Sequence, residues 1–128
     1  MEGLNKLERA VLDLLLEYAI LETSLVGKDQ IIQTLKIQGS KVYVKDREYT
    51  GYGFICHLGV PIGTPLVNGN YSISGAHGDL DGMKMGASFV LFVNDGQIDE
   101  LVGTTYGNER WPEKIGMFSL RYIPETKI

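Results

Sequence analysis

The sequence predicts an α+β fold in which one or two N-terminal helices pack on a mainly antiparallel sheet of five or six strands. Residues 1–38 repeat apolar side chains every three or four positions, which is the helical period. From Ser40 onward, apolar and polar residues alternate between turn signals, which is typical of strands. We therefore expect a single domain over residues 1–128, with a helical part at 1–38 and a sheet at 40–123.

One apolar stripe predicts the first helix, and a capping box predicts its start. Asn5 is followed three residues later by Glu8, and the two supply both partners of that box. A stripe this wide is typical of a helix that lies on a sheet or on a partner. Its members are Leu4, Leu7, Val11, Leu14, Tyr18, Leu21 and Leu25.

The end of this helix has two interpretations. In the first, the helix runs to Gly27, which ends it. In the second, it stops between residues 18 and 22, and Thr23 or Ser24 caps a second, shorter helix. With either end of the first helix, we expect a second, shorter helix from about Lys28, with Gly39 after its end.

Six segments have the character of strands, and the fourth carries the strongest signal. Residues 89–93 are apolar at every position, which predicts a central strand buried on both faces. Residues 75–86, rich in glycine, are predicted to form a loop. The six predicted strands cover residues 42–49, 54–60, 71–74, 89–93, 98–102 and 118–122.

Asp95-Gly96 between two strand patterns predicts a two-residue hairpin with positive φ at both central residues. A regular hairpin around this turn places Val93 opposite Ile98. It also places Leu91 opposite Glu100, and Val90 opposite Leu101.

Composition excludes several classes of function. The net charge is −4, and the densest basic stretch, Lys41, Lys45 and Arg47, is interrupted by acids, so we interpret it as a solvated strand face and expect no nucleic-acid binding. No apolar run is long enough for a membrane span, so we expect no membrane association. A single cysteine and the lack of a secretory signal favour the cytoplasm.

A local excess of acid and an aromatic segment predict a surface for a protein partner. Residues 79–113 contain seven acids and two bases, and an acidic face can steer a basic partner. The segment 103–113 adds Trp, Tyr and Arg, the types enriched at interface hot spots, although its aromatic residues could equally close the end of the sheet. The predicted partner surface consists of Asp99, Glu100, Tyr106, Arg110 and Trp111.

Two alternative sites would support a different function. His77, Asp79 and Asp81 combine an imidazole with two carboxylates in the predicted glycine-rich loop, which could hold a divalent metal. Cys56 could act as a thiol nucleophile with His77 as its base, if that loop folds over the cysteine. His57 cannot serve as this base, because adjacent strand residues point to opposite faces.

The segments Phe89–Gly96, Gly103–Gly107 and Trp111-Pro112 resemble a group of small bacterial proteins for which no activity is established. In that group, an apolar strand, an Asp-Gly turn and a Tyr-Gly…Trp-Pro segment follow N-terminal helices. The resemblance implies a bacterial cytoplasmic protein and carries over no functional residues.

The leading hypothesis is a non-enzymatic interaction module, such as an adaptor or an immunity-type inhibitor, that needs no cofactor. The alternative is a small-ligand- or metal-binding protein or a small hydrolase that uses the His77-Asp79-Asp81 loop with His57 or Cys56. A homodimer through the N-terminal helix is compatible with either.

Overall fold

A computed structural model describes residues 2–19 and 27–123 of the chain. Within these residues two helices precede six strands, which confirms the α+β class. None of the described helices is both long enough and apolar enough to cross a membrane. The elements are α1 Lys6–Glu17, α2 Lys28–Lys41, β1 Tyr43–Tyr49, β2 Gly53–Gly59, β3 Tyr71–Leu80, β4 Ala87–Asn94, β5 Gln97–Thr105 and β6 Phe118–Tyr122.

The six strands form one sheet in the order β1-β2-β5-β4-β3-β6, and every described neighbour pair is antiparallel. Both helices pack on the same face of this sheet, which we call the inner face. Alternate residues of the central strands enter the core there, for example Phe89, Leu91 and Val93 of β4. The opposite face is called the outer face.

Helix α1 begins with the predicted capping box and ends early. The Glu8 amide donates to the Asn5 side chain over 2.8 Å, and the Asn5 amide donates to the Glu8 carboxylate over 2.9 Å. The helix stops at Glu17 with Tyr18 as its C-cap, so the interpretation in which it ends early is confirmed and the one in which it runs to Gly27 is wrong. The predicted stripe residues Leu21 and Leu25 and the predicted caps Thr23 and Ser24 lie outside the described residues.

Helix α2 begins after Gly27, as expected, but it continues through Gly39 to Lys41. The expectation that it ends before Gly39 is therefore wrong. A Cβ atom at position 39 would lie 2.9 Å from the Leu16 side chain of α1. The glycine thus lies where the two helices approach closely and does not terminate α2.

A fully buried glutamine fixes α2 to the end of the sheet. The side-chain amide of Gln38 donates to the carbonyl oxygens of Pro65 and Gly96 over 2.9 and 2.8 Å. The Gln38 side-chain oxygen accepts the Ile98 amide over 2.8 Å. These three bonds satisfy a polar group that would otherwise destabilise the core.

The hairpin between β4 and β5 has the predicted turn. Asp95 and Gly96 have φ values of 52° and 80°, and Val93 pairs with Ile98. The other two predicted pairings are wrong: Leu91 pairs with Leu101, and Val90 with Val102. The register shifts between Phe92 and Val93 because Asp99 is an extra residue on β5, and this bulge keeps both leucines in the core and sends Glu100 to the outer face.

The predicted loop at 75–86 is wrong for its first half, because β3 continues to Leu80. Gly75 occupies a bulge with φ of 115°, beneath the Tyr122 ring, and strand pairing resumes at Ala76. The next glycine, Gly78, lies on the inner face, where a Cβ atom would be 3.1 Å from Phe89. Gly75 and Gly78 are therefore parts of a packed strand. In the sequence, the same density of glycine resembles a loop.

A buried ion pair joins α1 to β1. The Arg47 guanidinium donates two hydrogen bonds to the Glu8 carboxylate, at 2.7 and 2.8 Å, and a further one to Glu2. The Glu8 side chain is 3% exposed and that of Arg47 is 16% exposed. The interpretation of Arg47 as part of a solvated basic face is therefore wrong. The hydrogen bond to Glu8 raises the pKa of Arg47 and keeps it charged.

We expect Arg47→Met to lower the free energy of unfolding by about 3 kcal/mol, because it leaves the Glu8 carboxylate buried without its partner. Urea denaturation measures this change. The double variant Glu8→Gln/Arg47→Met should be more stable than the single one, since it removes the orphaned charge and keeps an oxygen for the helix cap. Asp13→Asn, which breaks the exposed pair with Arg9, serves as the control and should change little. If Arg47→Met and Asp13→Asn lower the free energy of unfolding equally, Arg47 and Glu8 do not form a stabilising buried pair.

Candidate functional site

The outer face of the sheet carries an apolar centre. Val102 on β5 lies between Ile55 on β2 and Val90 on β4, and Phe92 lies on the neighbouring row of β4. All four side chains are part-exposed, and both described helices lie on the inner face. Apolar residues at outward positions of three adjacent strands are unusual for a solvated face. This group of four is called the apolar centre below.

An acidic border flanks the apolar centre on the β1 side. It consists of Asp46 and Glu48 on β1 and Glu100 on β5, with His57 of β2 between them. The His57 imidazole contacts the Glu48 carboxylate over 2.6 Å and lies 3.7 Å from that of Glu100. The hydrogen bond with Glu48 is the main cause that raises the pKa of His57, and the charges of Glu100 and Asp46 add to it.

The opposite side of the outer face is polar and contains the second histidine. His77 of β3 stacks on the Tyr106 ring, with centroids 5.9 Å apart, and its Nδ1 atom is hydrogen-bonded to the Tyr106 hydroxyl. Burial, followed by the charge of nearby Arg121, lowers the pKa of His77. Arg121 of β6 also donates to Asp79 over 2.8 Å. The outer face thus carries an excess of acids near β1, whereas near β6 the charges of Arg121 and Asp79 pair with each other.

The structure divides the predicted partner surface between the two faces. Glu100 and Tyr106 lie on the outer face near opposite ends of β5, and Asp99 occupies the bulge next to Glu100, where it accepts from Asn94 over 2.9 Å. Arg110 is exposed in the segment after β5. Trp111 packs on the inner side, with its ring centroid 5.0 Å from Phe54. The tryptophan therefore closes one end of the core, as one of the two interpretations of this segment proposed.

The acids of residues 79–113 are not gathered on one face. Asp95 lies in the turn after β4, whereas Asp81 and Glu109 lie near the start of that strand, at the opposite end of the sheet. Glu109 accepts the backbone amides of Lys84 and Met85, which lower its pKa. The acidic border instead combines Glu100 with Asp46 and Glu48. Sequence reasoning missed the β1 residues because strand pairing, not sequence proximity, brings them together.

The predicted metal ligands are already engaged by the protein. His77 contacts Tyr106, Asp79 pairs with Arg121, and the Asp81 carboxylate accepts the amide of Met117 over 3.1 Å. His77 and Asp79 share the outer face, whereas Asp81 follows the end of β3. Within the described residues, no group of three or more His, Cys, Asp or Glu side chains is arranged to hold a metal ion.

Cys56 lies on the inner face, fully buried beside the ion pair of Glu8 and Arg47. His77 lies on the outer face, so the sheet separates the two residues that a thiol mechanism would pair. Burial, and after it the charge of Glu8, raises the pKa of Cys56 to about 12. The thiol is therefore protonated and screened from solvent, which is typical of a structural cysteine.

A shallow groove between α1 and α2 is a further concavity, lined in part by Arg9, Asp13, Glu17 and Lys36. Its charged groups bond to one another or to the backbone: Arg9 donates to the Gly39 carbonyl over 2.7 Å, and Lys36 lies 3.7 Å from Glu17. This arrangement ties the helices together.

No family model, curated protein or solved structure matches the chain. The functional assignment therefore depends on the geometry of the outer face.

We expect the two histidines to titrate on opposite sides of 6.5, the ordinary histidine value, with His57 above it and His77 below it. NMR of the imidazole protons measures both, and Glu48→Gln should lower the pKa of His57 alone. Because its pKa is raised on folding, His57 contributes stability that is fully present below 6.5 and is lost as the pH rises through the raised value. Coincident titrations of the two rings would contradict this geometry.

We also expect iodoacetamide to leave Cys56 unmodified in the folded protein and to alkylate it rapidly in urea. Mass spectrometry over a time course distinguishes the two states, and the same chain in urea is the control. Rapid alkylation without denaturant would place the thiol at the surface.

Proposed function

We propose that the protein is a non-enzymatic interaction module that binds a protein partner through its outer face. The observation that carries this proposal is the apolar centre, which lies part-exposed on the face opposite the helices. Contiguous exposed apolar surface with a polar rim is typical of protein–protein interfaces. The described residues offer no competing arrangement of a nucleophile with a base.

The acidic border determines the kind of partner. Asp46, Glu48 and Glu100 lie beside the apolar centre, with His57 as the basic group between them. We therefore propose a partner segment that carries lysine or arginine next to apolar side chains. Complementary charge of this kind accelerates association and selects among partners more than it adds affinity. The single cysteine, which is free, is consistent with action in a bacterial cytoplasm, where we place the complex.

Site-specific photo-crosslinking tests which face binds. A photoreactive residue at Thr104, exposed on the outer face, should form a covalent adduct with one partner protein in the cells that produce the chain. The same residue at Ile37, which is 44% exposed on α2, is the matched control and should not form that adduct. An adduct from Ile37 alone would overturn the proposal.

With the cross-linked partner purified, charge reversal tests the acidic border. Glu100→Lys should weaken binding about tenfold at low ionic strength and should reduce its dependence on salt. Asp13→Lys makes the same charge change on the solvent side of α1 and should leave affinity unchanged. If the wild type and Glu100→Lys bind the partner with equal affinity, the acidic border is not part of the interface.

A further inference from the structure

We infer that two copies of this chain associate through β6, so that their sheets join edge to edge. Strand β6 is the last strand of the sheet, and within the described residues it pairs with β3 on one side only. An open edge presents unpaired amides and carbonyls that can bind another strand. This edge is distinct from the apolar centre and does not depend on the proposed function.

The register of β6 defines which backbone groups are open. The Ile123 amide donates to the Gly75 carbonyl over 2.7 Å, and the Asp81 amide donates to the Met117 carbonyl over 3.0 Å. Because hydrogen-bonded positions alternate along an antiparallel strand, the odd-numbered residues of this stretch bond to β3. The amides and carbonyls of Phe118, Leu120 and Tyr122 consequently point away from the sheet.

These three residues are self-complementary in one antiparallel register. When Leu120 lies opposite Leu120 of the second copy, Phe118 lies opposite Tyr122 of that copy, and all three open residues are paired. Both helix layers then lie on the same side of the combined sheet, since the two-fold axis is perpendicular to it. A register centred on Ser119 leaves Tyr122 unpaired, and one centred on Arg121 brings two arginines together.

Charge also favours this register. Ser119 and Arg121 lie on the outer face, where they pair with Asp79 and His77 of the same chain. In the dimer, Arg121 lies opposite Ser119 of the second copy, and the next residue on that row is Asp79 of the second copy. Arg121 of each copy therefore lies between Asp79 of its own chain and Asp79 of the second copy.

The surroundings of β6 differ from those of the other edge. Exposed apolar side chains border β6: Met117 is 80% exposed, Tyr18 52% and Ile123 46%, and Tyr18 stacks on Tyr122. Edge β1 carries four successive charged residues, 45–48, and a bulge. The backbone carbonyl of Glu2 also accepts the Val44 amide of this strand. Charges, bulges and covering segments are the features that prevent strand pairing, so β1 is protected, whereas among residues 2–19 and 27–123 none of these features protects β6.

The test measures association of the full chain by sedimentation equilibrium. The wild type should reach twice the chain mass as its concentration rises. Ser119→Lys should weaken association about tenfold, because each new lysine faces Arg121 of the second copy. The fold should tolerate this lysine, which lies beside Asp79 on the exposed face, and thermal unfolding verifies that it does.

Two further variants make the result specific. Ser119→Lys/Arg121→Glu places opposite charges across the axis and should restore association. Thr104→Lys adds the same charge to the outer face at a distance from β6 and should leave association unchanged. A wild type that stays monomeric over its soluble range, or equal weakening by Ser119→Lys and Thr104→Lys, would overturn the inference, whatever Thr104 cross-linking shows about a partner.

Discussion

The buried ion pair between Glu8 and Arg47 determines where the helix layer lies on the sheet. Glu8 also completes the capping box of α1, so one carboxylate fixes both the start of the helix and its distance from β1. Two buried charges are stable only in close, well-directed contact, because desolvation otherwise exceeds their attraction. This requirement holds α1 over the inner face, above Cys56. Neither of the two described helices covers the outer face, which leaves its apolar centre available for binding.

Local chemistry explains the parts of the fold that the sequence could predict. The capping box depends on residues three positions apart, and the hairpin turn depends on Asp95-Gly96 alone. The bulges at Gly75 and Asp99 depend instead on the partner strands. Each bulge shifts the pairing register by one residue, so that apolar side chains after it lie on the inner face. A sequence without its pairing partners carries no such information. For the same reason, the glycines of β3 imitated a loop.

The candidate site was less predictable because the pairing register of the strands decides on which face of the sheet each side chain lies. One extra residue at Asp99 moves Glu100 from the core side to the outer face, where His57 and Glu48 meet it. Trp111 and Tyr106 are five residues apart in the sequence, yet they pack at opposite faces of one sheet end. Residues 89–93 are apolar at every position, but the prediction that both faces of this strand are buried is wrong for the outer face, where Val90 and Phe92 are part-exposed.

The order of the strands connects the outer face with the β6 edge. The acidic border lies on the side of β1, and the pair of Asp79 and Arg121 lies beside the other edge, β6, where we propose that the second copy joins. In such a dimer the two outer faces form one surface, and seven strand spacings, about 34 Å, separate the two β5 strands that carry Glu100. Two partner segments could then bind without contact between them. A partner with two such segments would gain avidity from their linkage, because the second contact becomes intramolecular. Pairing at β6 would therefore make the outer face of each copy one half of a bivalent surface.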